Sequence, residues 1–191
     1  IGEGSVIHFV NSSEVFVYDQ TAPLIISKSN VKFLGNNTTL SNIRFNVMSI
    51  AGNLYMKDLI FTNNTDTVIT VYSDNCTIEN VVFENNGGDD CGKGACIQLY
   101  GNNFTAIKST FRNNNATSSE SFGAALYVNA NLTTISNCTF ENNRVSGYGS
   151  HIYISENSTN IKIINNTSFI KGSYLGNGGS AIVIDGSDVI I

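Results

Sequence analysis

The chain has 191 residues and a formal net charge of −5, and charged residues make up 13% of it, about half the usual share. Ile and Val together number 36 against nine Leu. This excess argues against a helical bundle, because branched Cβ atoms suit a pleated strand better than a helix. The acidic balance without a basic cluster argues against nucleic acid or an anionic membrane as a partner. No apolar run approaches the roughly 18 residues of a membrane span.

A sequence repeat divides most of the chain into units of 22 to 29 residues. Phe-x-Asn-Asn begins at four positions and a further Phe falls at the next interval: Phe61, Phe83, Phe111, Phe140 and Phe169. A strand-like stretch precedes each of the four motifs, over residues 54–60, 76–82, 104–110 and 132–139. A second, Gly-initiated stretch follows three of the motifs, over residues 94–99, 123–128 and 149–154, and a fourth copy at 179–184 follows Phe169. One such unit cannot bury its apolar face alone, so the repeat predicts a stack of copies.

A further register consists of an asparagine just before each strand-like stretch. It recurs at intervals of 22 to 29 residues: Asn30, Asn53, Asn75, Asn103, Asn131 and Asn160. Asparagine tolerates the left-handed conformation of a sharp bend, and its amide can bond to the copy one coil away. We therefore expect a ladder of asparagines along one corner of the stack.

These registers predict an all-β fold, a right-handed parallel β-helix of about seven coils of 22–29 residues in a single domain, 1–191. Right-handed winding is expected because crossovers between parallel strands prefer it. Residues 1–20 fit the repeat poorly and are expected to form a cap or an irregular first coil. The Phe of each motif should stack inside the helix. Strand alternation predicts an outward column formed by Gln98, Tyr127, Tyr153 and Val183.

The pairing of Phe-x-x-Asn with a following Gly-x-Ala or Gly-Ala strand resembles the repeat of the chlamydial polymorphic outer-membrane proteins. It is also similar to the repeat of the adhesin-like surface proteins of methanogens. The resemblance covers roughly residues 50–186 and implies a surface-exposed β-helix with a role in adhesion or coat structure. The chain departs from the pattern because only Gly178-Gly179 keeps a glycine doublet, whereas Lys93 and Phe122 precede Gly94 and Gly123.

Twelve Asn-x-Ser/Thr sequons are present, where composition alone predicts about five. The excess favours an N-glycosylated extracellular protein. Asn75, Asn103 and Asn131 have a second explanation, since they belong to the corner register. The sequons that we expect to carry glycans lie in apparent loops: Asn11, Asn37, Asn63, Asn115, Asn157 and Asn166.

The four cysteines suggest one disulfide. Cys91 and Cys96 close a small glycine-containing loop, and a disulfide between them is predicted in an oxidising compartment. Cys76 and Cys138 lie on strand-like stretches two coils apart, too far to bond, and are interpreted as buried small apolar residues. With only two His in the chain and His8 remote from the cysteines, we expect no metal site and no cofactor.

Two short motifs point to a possible catalytic site. Asn64-Thr65-Asp66 and Gly88-Asp89-Asp90-Cys91 resemble elements of the polygalacturonase family, which also has a right-handed β-helix fold. The resemblance implies carboxylates on adjacent coils that act as general acid and as water-activating base. However, Gly-Ala-Ala at 123–125 stands where the family has Gly-His-Gly, and no Arg-x-Lys pair follows. We therefore do not expect an enzyme, and in the alternative interpretation the candidates are Asp66, Asp89 and Asp90.

Two other groups of residues have a functional and a structural interpretation. Tyr127 and Tyr153 could stack on sugar rings, because an aromatic face offers apolar area with a polar tip; in the structural interpretation they are ordinary surface residues. His151 aligns with alanine or cysteine in the other repeats and is interpreted as a tolerated variant rather than a catalytic base.

The sequence thus favours a non-enzymatic, extracellular structural or adhesive β-helix domain of a larger cell-surface protein or filament. The expected partners are other copies or neighbouring domains end to end, because residues 188–191 form a strand-like segment without a polar cap, together with surface glycans. We expect no binding to nucleic acid and no membrane insertion by this segment. Two alternatives stay open: a carbohydrate-active or glycan-binding β-helix of the polygalacturonase type, and a viral or phage fibre protein.

Overall fold

The computed structural model describes residues 2–8, 24–41, 47–175 and 180–191, and these residues form 23 short strands. In chain order the strands are β1 (Val6–His8), β2 (Leu24–Ile26), β3 (Lys32–Ser41), β4 (Val47–Ser49), β5 (Tyr55–Thr62), β6 (Ile69–Val71), β7 (Thr77–Glu79), β8 (Val82–Glu84), β9 (Gly87–Gly88), β10 (Ile97–Leu99), β11 (Thr105–Ile107), β12 (Thr110–Arg112), β13 (Asn115–Ala116), β14 (Leu126–Val128), β15 (Thr134–Ser136), β16 (Thr139–Glu141), β17 (Arg144–Val145), β18 (Ile152–Ile154), β19 (Thr159–Ile164), β20 (Ser168–Ile170), β21 (Ser173–Tyr174), β22 (Ile182–Ile184) and β23 (Ser187–Ile190).

The strands pair in parallel with their copies one coil away and build three sheets of twelve, seven and four strands. The seven-stranded sheet runs β2-β4-β6-β10-β14-β18-β22, and its seven strands are separated by six turns of the chain. The prediction of an all-β parallel solenoid is confirmed. No helix in the described ranges is long and apolar enough to cross a membrane.

A column of phenylalanines forms the centre of the core, as the repeat predicts. The rings of successive coils stack with centroids 4.7 to 5.3 Å apart: Phe61, Phe83, Phe111, Phe140 and Phe169. The strands that carry them pair in register, for example Phe83 with Phe111. Offset stacking of aromatic rings adds to the free energy gained from burying their area.

The strand that precedes each phenylalanine is divided in two in most coils, which the sequence did not predict. A residue in the left-handed region bends the backbone at this point, with φ between 51° and 55° in five successive coils: Asp58, Asn80, Lys108, Asn137 and Asn165. Because of this bend, the twelve-stranded sheet has two branches, one containing the strands before the bend and one the strands after it. Both branches pair with the long strand β5.

The corner register of asparagines is confirmed except at one position. Asn30, Asn53, Asn75, Asn103 and Asn160 have positive φ, but in the fifth coil the left-handed residue is Leu132 instead of Asn131. Side-chain bonds join Asn53 to Asn30 (2.8 Å) and Asn103 to Asn75 (2.6 Å). The side-chain Oδ1 atom of Asn131 instead accepts a bond from the Thr159 backbone N–H, so the predicted ladder is interrupted there.

A second, fully buried ladder consists of the last asparagine of each Phe-x-Asn-Asn motif: Asn64, Asn86, Asn114 and Asn143. The Asn114 Oδ1 atom accepts bonds from the backbone N–H and the Nδ2 of Asn86, both at 3.0 Å. The Asn114 Nδ2 atom donates to Phe83 O and to Asn143 Oδ1. The buried amides of Asn86, Asn114 and Asn143 are therefore satisfied by neighbouring residues, whereas Asn64 Oδ1 at the start of the ladder has no partner among the described residues.

Three predictions concern residues at the edges of the described ranges. Val6–His8, within the predicted cap 1–20, pairs in parallel with β3 and so belongs to the stack. The remainder of that segment from residue 9 onwards, including the sequon at Asn11, lies outside the described residues. The Gly178-Gly179 doublet also lies outside them.

Candidate functional site

The outer face of the seven-stranded sheet carries the predicted outward column. Gln98, Tyr127, Tyr153 and Val183 occupy equivalent positions in β10, β14, β18 and β22. The rings of Tyr127 and Tyr153 are stacked, with centroids 5.8 Å apart and planes within 4° of each other. Alternation along each strand therefore predicted the direction of these side chains correctly.

Two flanking columns extend this aromatic surface. On one side, Tyr72 and Tyr100 stack with centroids 5.1 Å apart, just after β6 and β10. On the other side, Lys93, Phe122 and Tyr148 are joined by parallel bridges in the loops that precede the sheet. The rings of Phe122 and Tyr148 stack at 5.8 Å.

Contacts between the columns make one continuous surface. Tyr100 meets Tyr127 at 6.1 Å and Phe122 meets Tyr153 at 4.8 Å, both in tilted arrangements. The Lys93 Nζ atom lies 4.8 Å from the centroid of the Tyr127 ring, a cation–π contact. We name this surface the tyrosine face and define it by Tyr72, Lys93, Gln98, Tyr100, Phe122, Tyr127, Tyr148 and Tyr153.

The prediction that Tyr127 and Tyr153 offer exposed rings for sugar stacking is wrong for Tyr127. This residue is only 8% exposed, because Lys93 covers its ring and Tyr100 and Tyr153 pack beside it. Tyr153 is half-buried, and its hydroxyl donates to Asp185 Oδ2. Within the tyrosine face, the rings that are most open to solvent are those of Tyr72 and Tyr148, each 51% exposed.

The charge around the tyrosine face is strongly one-sided. Seven Asp or Glu residues but only one Lys or Arg, Lys93, lie in the strands of the sheet and their adjoining turns. These segments are residues 65–75, 88–103, 117–132, 146–158 and 180–186. Burial, the hydrogen bond to Asp185 and the negative charge nearby raise the pKa of Tyr153. The phenol therefore remains a hydrogen-bond donor at neutral pH.

The acidic candidates for catalysis lie on neighbouring coils, but two of them have structural partners. The Gly87 backbone N–H donates to Asn64 O, so the segments that carry Asp66 and Asp89 lie on adjacent coils. Asp66 Oδ1 accepts from the Thr67 backbone at 2.7 Å, and Asp89 Oδ1 accepts from Thr117 Oγ1 at 2.9 Å. Asp90 is exposed. Among the described residues, no group of three His, Cys, Asp or Glu could hold a metal ion.

The predicted Cys91–Cys96 disulfide is wrong. All four cysteines fall within the described residues and are free and buried. Cys91 packs in a small apolar cluster with Ala95, Ala116, Ala124 and Val145, whereas Cys96 belongs to the main core. Burial raises the pKa of the Cys91 thiol to about 11, so it remains protonated and unreactive. The interpretation of Cys76 and Cys138 as buried small apolar residues is confirmed.

His151 occupies the same repeat position as Cys96, Ala125 and Ala181, as the alignment of repeats predicted. It is fully buried and ends the inner asparagine ladder, since its Nδ1 atom lies 2.9 Å from Asn143 Nδ2. The next coil has Gly172 in place of asparagine, and a Cβ there would lie 2.9 Å from His151 Nε2. Burial lowers the pKa of His151 to about 4. The histidine thus fills the space left by a missing ladder residue.

Most predicted glycan sites are accessible. The asparagines of four of them are exposed: Asn37, Asn63, Asn157 and Asn166. Asn115 is half-buried in the middle strand of the four-stranded sheet, between Gly87 and Arg144. No sequon asparagine of the described chain lies in a strand of the seven-stranded sheet or in the loops 88–96, 117–125 and 146–151 that precede them.

Sequence reasoning found three members of the tyrosine face, Gln98, Tyr127 and Tyr153, and missed its four other aromatic residues. Tyr72 and Tyr100 are 28 residues apart and Phe122 and Tyr148 are 26 apart, so the repeat interval offered a signal for the two pairs. The loops vary in length, however, and the contacts between columns depend on how each loop folds over the sheet. Another surface feature, a groove of about 290 Å³, lies beside the corner asparagines and is lined by Lys32, Tyr55 and Thr77 among others.

Comparison with known proteins gives one match. A family model described as a right-handed beta helix region matches residues 2–168. No curated protein and no solved structure matches the chain.

Proposed function

Because the chain belongs to the right-handed β-helix family, we propose that it is a non-enzymatic structural and adhesive domain of an extracellular surface protein or filament. The tyrosine face is its recognition surface, and N-linked glycans cover other faces of the solenoid. The sequence repeat that resembles polymorphic outer-membrane proteins and adhesin-like proteins supports the same role.

The observation that carries this proposal is the division of the surface. Two of the three tyrosines that are more than half exposed, Tyr72 and Tyr148, lie on the tyrosine face. No sequon asparagine of the described residues lies in the strands of that sheet or in the loops that precede them; the nearest sequons, at Asn75, Asn103, Asn131 and Asn157, lie in the turns that follow the strands. Tyr and other aromatic residues are enriched where proteins make contact. A face that must meet a partner is also a face where glycans would interfere, so the two features support each other.

The recurrent positions of the repeat favour a structural role over catalysis. The repeated Phe and Asn side chains are used in the core and in turns. Asp66 and Asp89 each accept a hydrogen bond that stabilises a turn or joins two coils. A polygalacturonase-like enzyme remains the alternative because these carboxylates occupy adjacent coils.

Glycopeptide mapping of the natively purified protein tests the proposal. We expect glycans at exposed sequons such as Asn37, Asn63, Asn157 and Asn166. A bare chain would contradict an extracellular glycoprotein. The enzyme alternative is tested by assay on acidic polysaccharides, and hydrolysis that disappears in Asp89→Asn and Asp66→Asn but persists in Asp90→Asn would overturn the non-enzymatic role.

End-to-end association between copies forms part of the filament version of this proposal. The C-terminal coil exposes apolar side chains and unpaired strand edges, which can template a further parallel strand. These exposed side chains include Ile170, Leu175, Ile184 and Ile190. Sedimentation at increasing concentration should show association, whereas a strict monomer would contradict the filament version.

A further inference from the structure

The tyrosine face combines open aromatic rings with a surplus of negative charge. We propose that it docks a cationic protein segment, one that presents Lys or Arg side chains to the rings of Tyr72 and Tyr148 and to the carboxylates around them. This inference rests on the proposed adhesive function, because it names the class of partner that the recognition surface takes.

The aromatic part of the argument depends on which rings are available. Within the stacked pairs, one face of each ring is already covered by its neighbour, as in Tyr72–Tyr100 and Phe122–Tyr148. Tyr72 and Tyr148 are nevertheless each 51% exposed. An ammonium or guanidinium group placed over such a ring is attracted by its quadrupole. These two residues therefore offer separate positions for basic side chains.

The protein itself shows how a cation sits on this surface. Lys93 is the one base in the segments that make up the face, and its Nζ atom lies 4.8 Å from the Tyr127 centroid and 5.9 Å from that of Phe122. No salt bridge accompanies this contact among those that the described residues form. The rings thus hold an ammonium group without a paired carboxylate, and a partner's lysine can use the same geometry.

The negative charge of the tyrosine face favours a partner with positive charge. Seven acidic residues and one basic residue lie in the segments of the face, although the whole chain has 15 acidic and 10 basic residues. The remainder of the chain is therefore almost neutral, and the negative potential is concentrated on one side. All seven of these acidic side chains are exposed: Asp66, Asp74, Asp89, Asp90, Glu120, Glu156 and Asp185. Such a field attracts a basic segment and repels an anionic one.

Binding of a short peptide that alternates Lys and Ser, measured by fluorescence anisotropy with the purified full chain, tests this proposal. We expect binding at low ionic strength that weakens with salt, and no binding of the matched Glu-Ser peptide. The double variant Tyr72→Ser/Tyr148→Ser should bind about tenfold more weakly, because two exposed cation–π contacts are lost. The off-face variant Tyr174→Ser is the matched control, since Tyr174 is 53% exposed in β21.

A second pair of variants separates a specific site from general attraction. Glu120→Gln/Glu156→Gln should weaken binding, and Glu3→Gln/Glu141→Gln, with the same change in net charge away from the face, should leave it unchanged. Equal weakening by both pairs, no effect of the tyrosine variants, or no binding at all would overturn the proposal. Binding of neutral oligosaccharides that depends on Tyr72 and Tyr148, without peptide binding, would also overturn it. The glycan map is independent of these results and tests the adhesive role separately.

Discussion

The last asparagine of each Phe-x-Asn-Asn motif stabilises the stack through its buried amide. Replacing Asn114 by Ala would leave the backbone N–H and the Nδ2 of Asn86 without their acceptor. Unpaired buried polar groups cost about 1–3 kcal/mol each, so we expect Asn114→Ala to lower the free energy of unfolding by roughly 2–4 kcal/mol in urea titration. The adjacent Asn113→Gly is the control, because φ is 56° at that position and glycine accepts it freely. Equal losses in both variants would contradict the role of the ladder.

His151 makes the stability of the fold depend on pH. Burial lowers its pKa to about 4 in the folded chain, against about 6.5 when unfolded. Above about pH 6.5 the histidine is neutral in both the folded and the unfolded chain, so it does not reduce the free energy of unfolding. As the pH falls from about 6.5 to about 4, the unfolded chain takes up the proton first and stability declines by about 3 kcal/mol in total. The variant His151→Ala should lose this part of the pH dependence, and an unchanged pH profile would contradict the assignment.

The two asparagines of each Phe-x-Asn-Asn motif show the limit of what could be predicted for single residues. The first of them adopts a left-handed conformation, as at Asn113. The side chain of Asn114 turns inward instead, and the one-letter pattern does not distinguish these two uses. The prediction of a left-handed conformation at Asn131 was wrong for a related reason: the turn is shifted by one residue, so Leu132 has the positive φ.

At the scale of the elements, close approach of neighbouring coils requires particular glycines. A Cβ on Gly101 would lie 2.0 Å from the carbonyl oxygen of Ser73 in the preceding coil. Since backbone atoms must move to relieve this contact, Gly101→Ala should cost about 2–3 kcal/mol or more. Gly88→Ala is the matched control, because its nearest atom would be 3.8 Å away. Thermal unfolding that is equally affected in both variants would contradict this explanation.

Strand alternation predicted which side chains point out of the sheet, but the loops determine which of those side chains are exposed to solvent. The outward direction of Tyr127 was correct, but Lys93 and Tyr100 cover its ring. The loop that carries Lys93 lies outside the regular strands, so its path over the sheet has no signal in a pattern of period two. The same reason applies to Phe122 and Tyr148, which lie in the loops before the sheet, whereas Tyr72 and Tyr100 directly follow β6 and β10 and had their repeat interval as a signal.

At the scale of the whole molecule, every thiol is enclosed. Because Cys76, Cys91, Cys96 and Cys138 are free and buried, we expect no reaction with a thiol reagent in the folded protein and four reactive thiols after denaturation without reductant. Burial raises the pKa of Cys91, Cys96 and Cys138 and so adds to their inertness. Only two reactive thiols after denaturation would restore the disulfide that the structure contradicts.

The outer faces of the solenoid differ from one another in side chains and in charge. Its core and corners use repeated residues, and this part of the fold could be predicted from intervals alone. Its distinguishing surface is the tyrosine face, where side chains differ from coil to coil and the charge is one-sided. Differences between repeats, rather than the repeat itself, therefore carry the proposed recognition.

Radical footprinting of tyrosines tests this central claim most directly. The measurement compares the protein in the proposed surface assembly, as isolated from its source, with the same protein after release. If the tyrosine face is the recognition surface, Tyr72 and Tyr148 are protected in the assembly and become reactive on release, while Tyr174 reacts in both states. Equal reactivity of Tyr72 and Tyr148 in the two states, with protection elsewhere, would contradict the account.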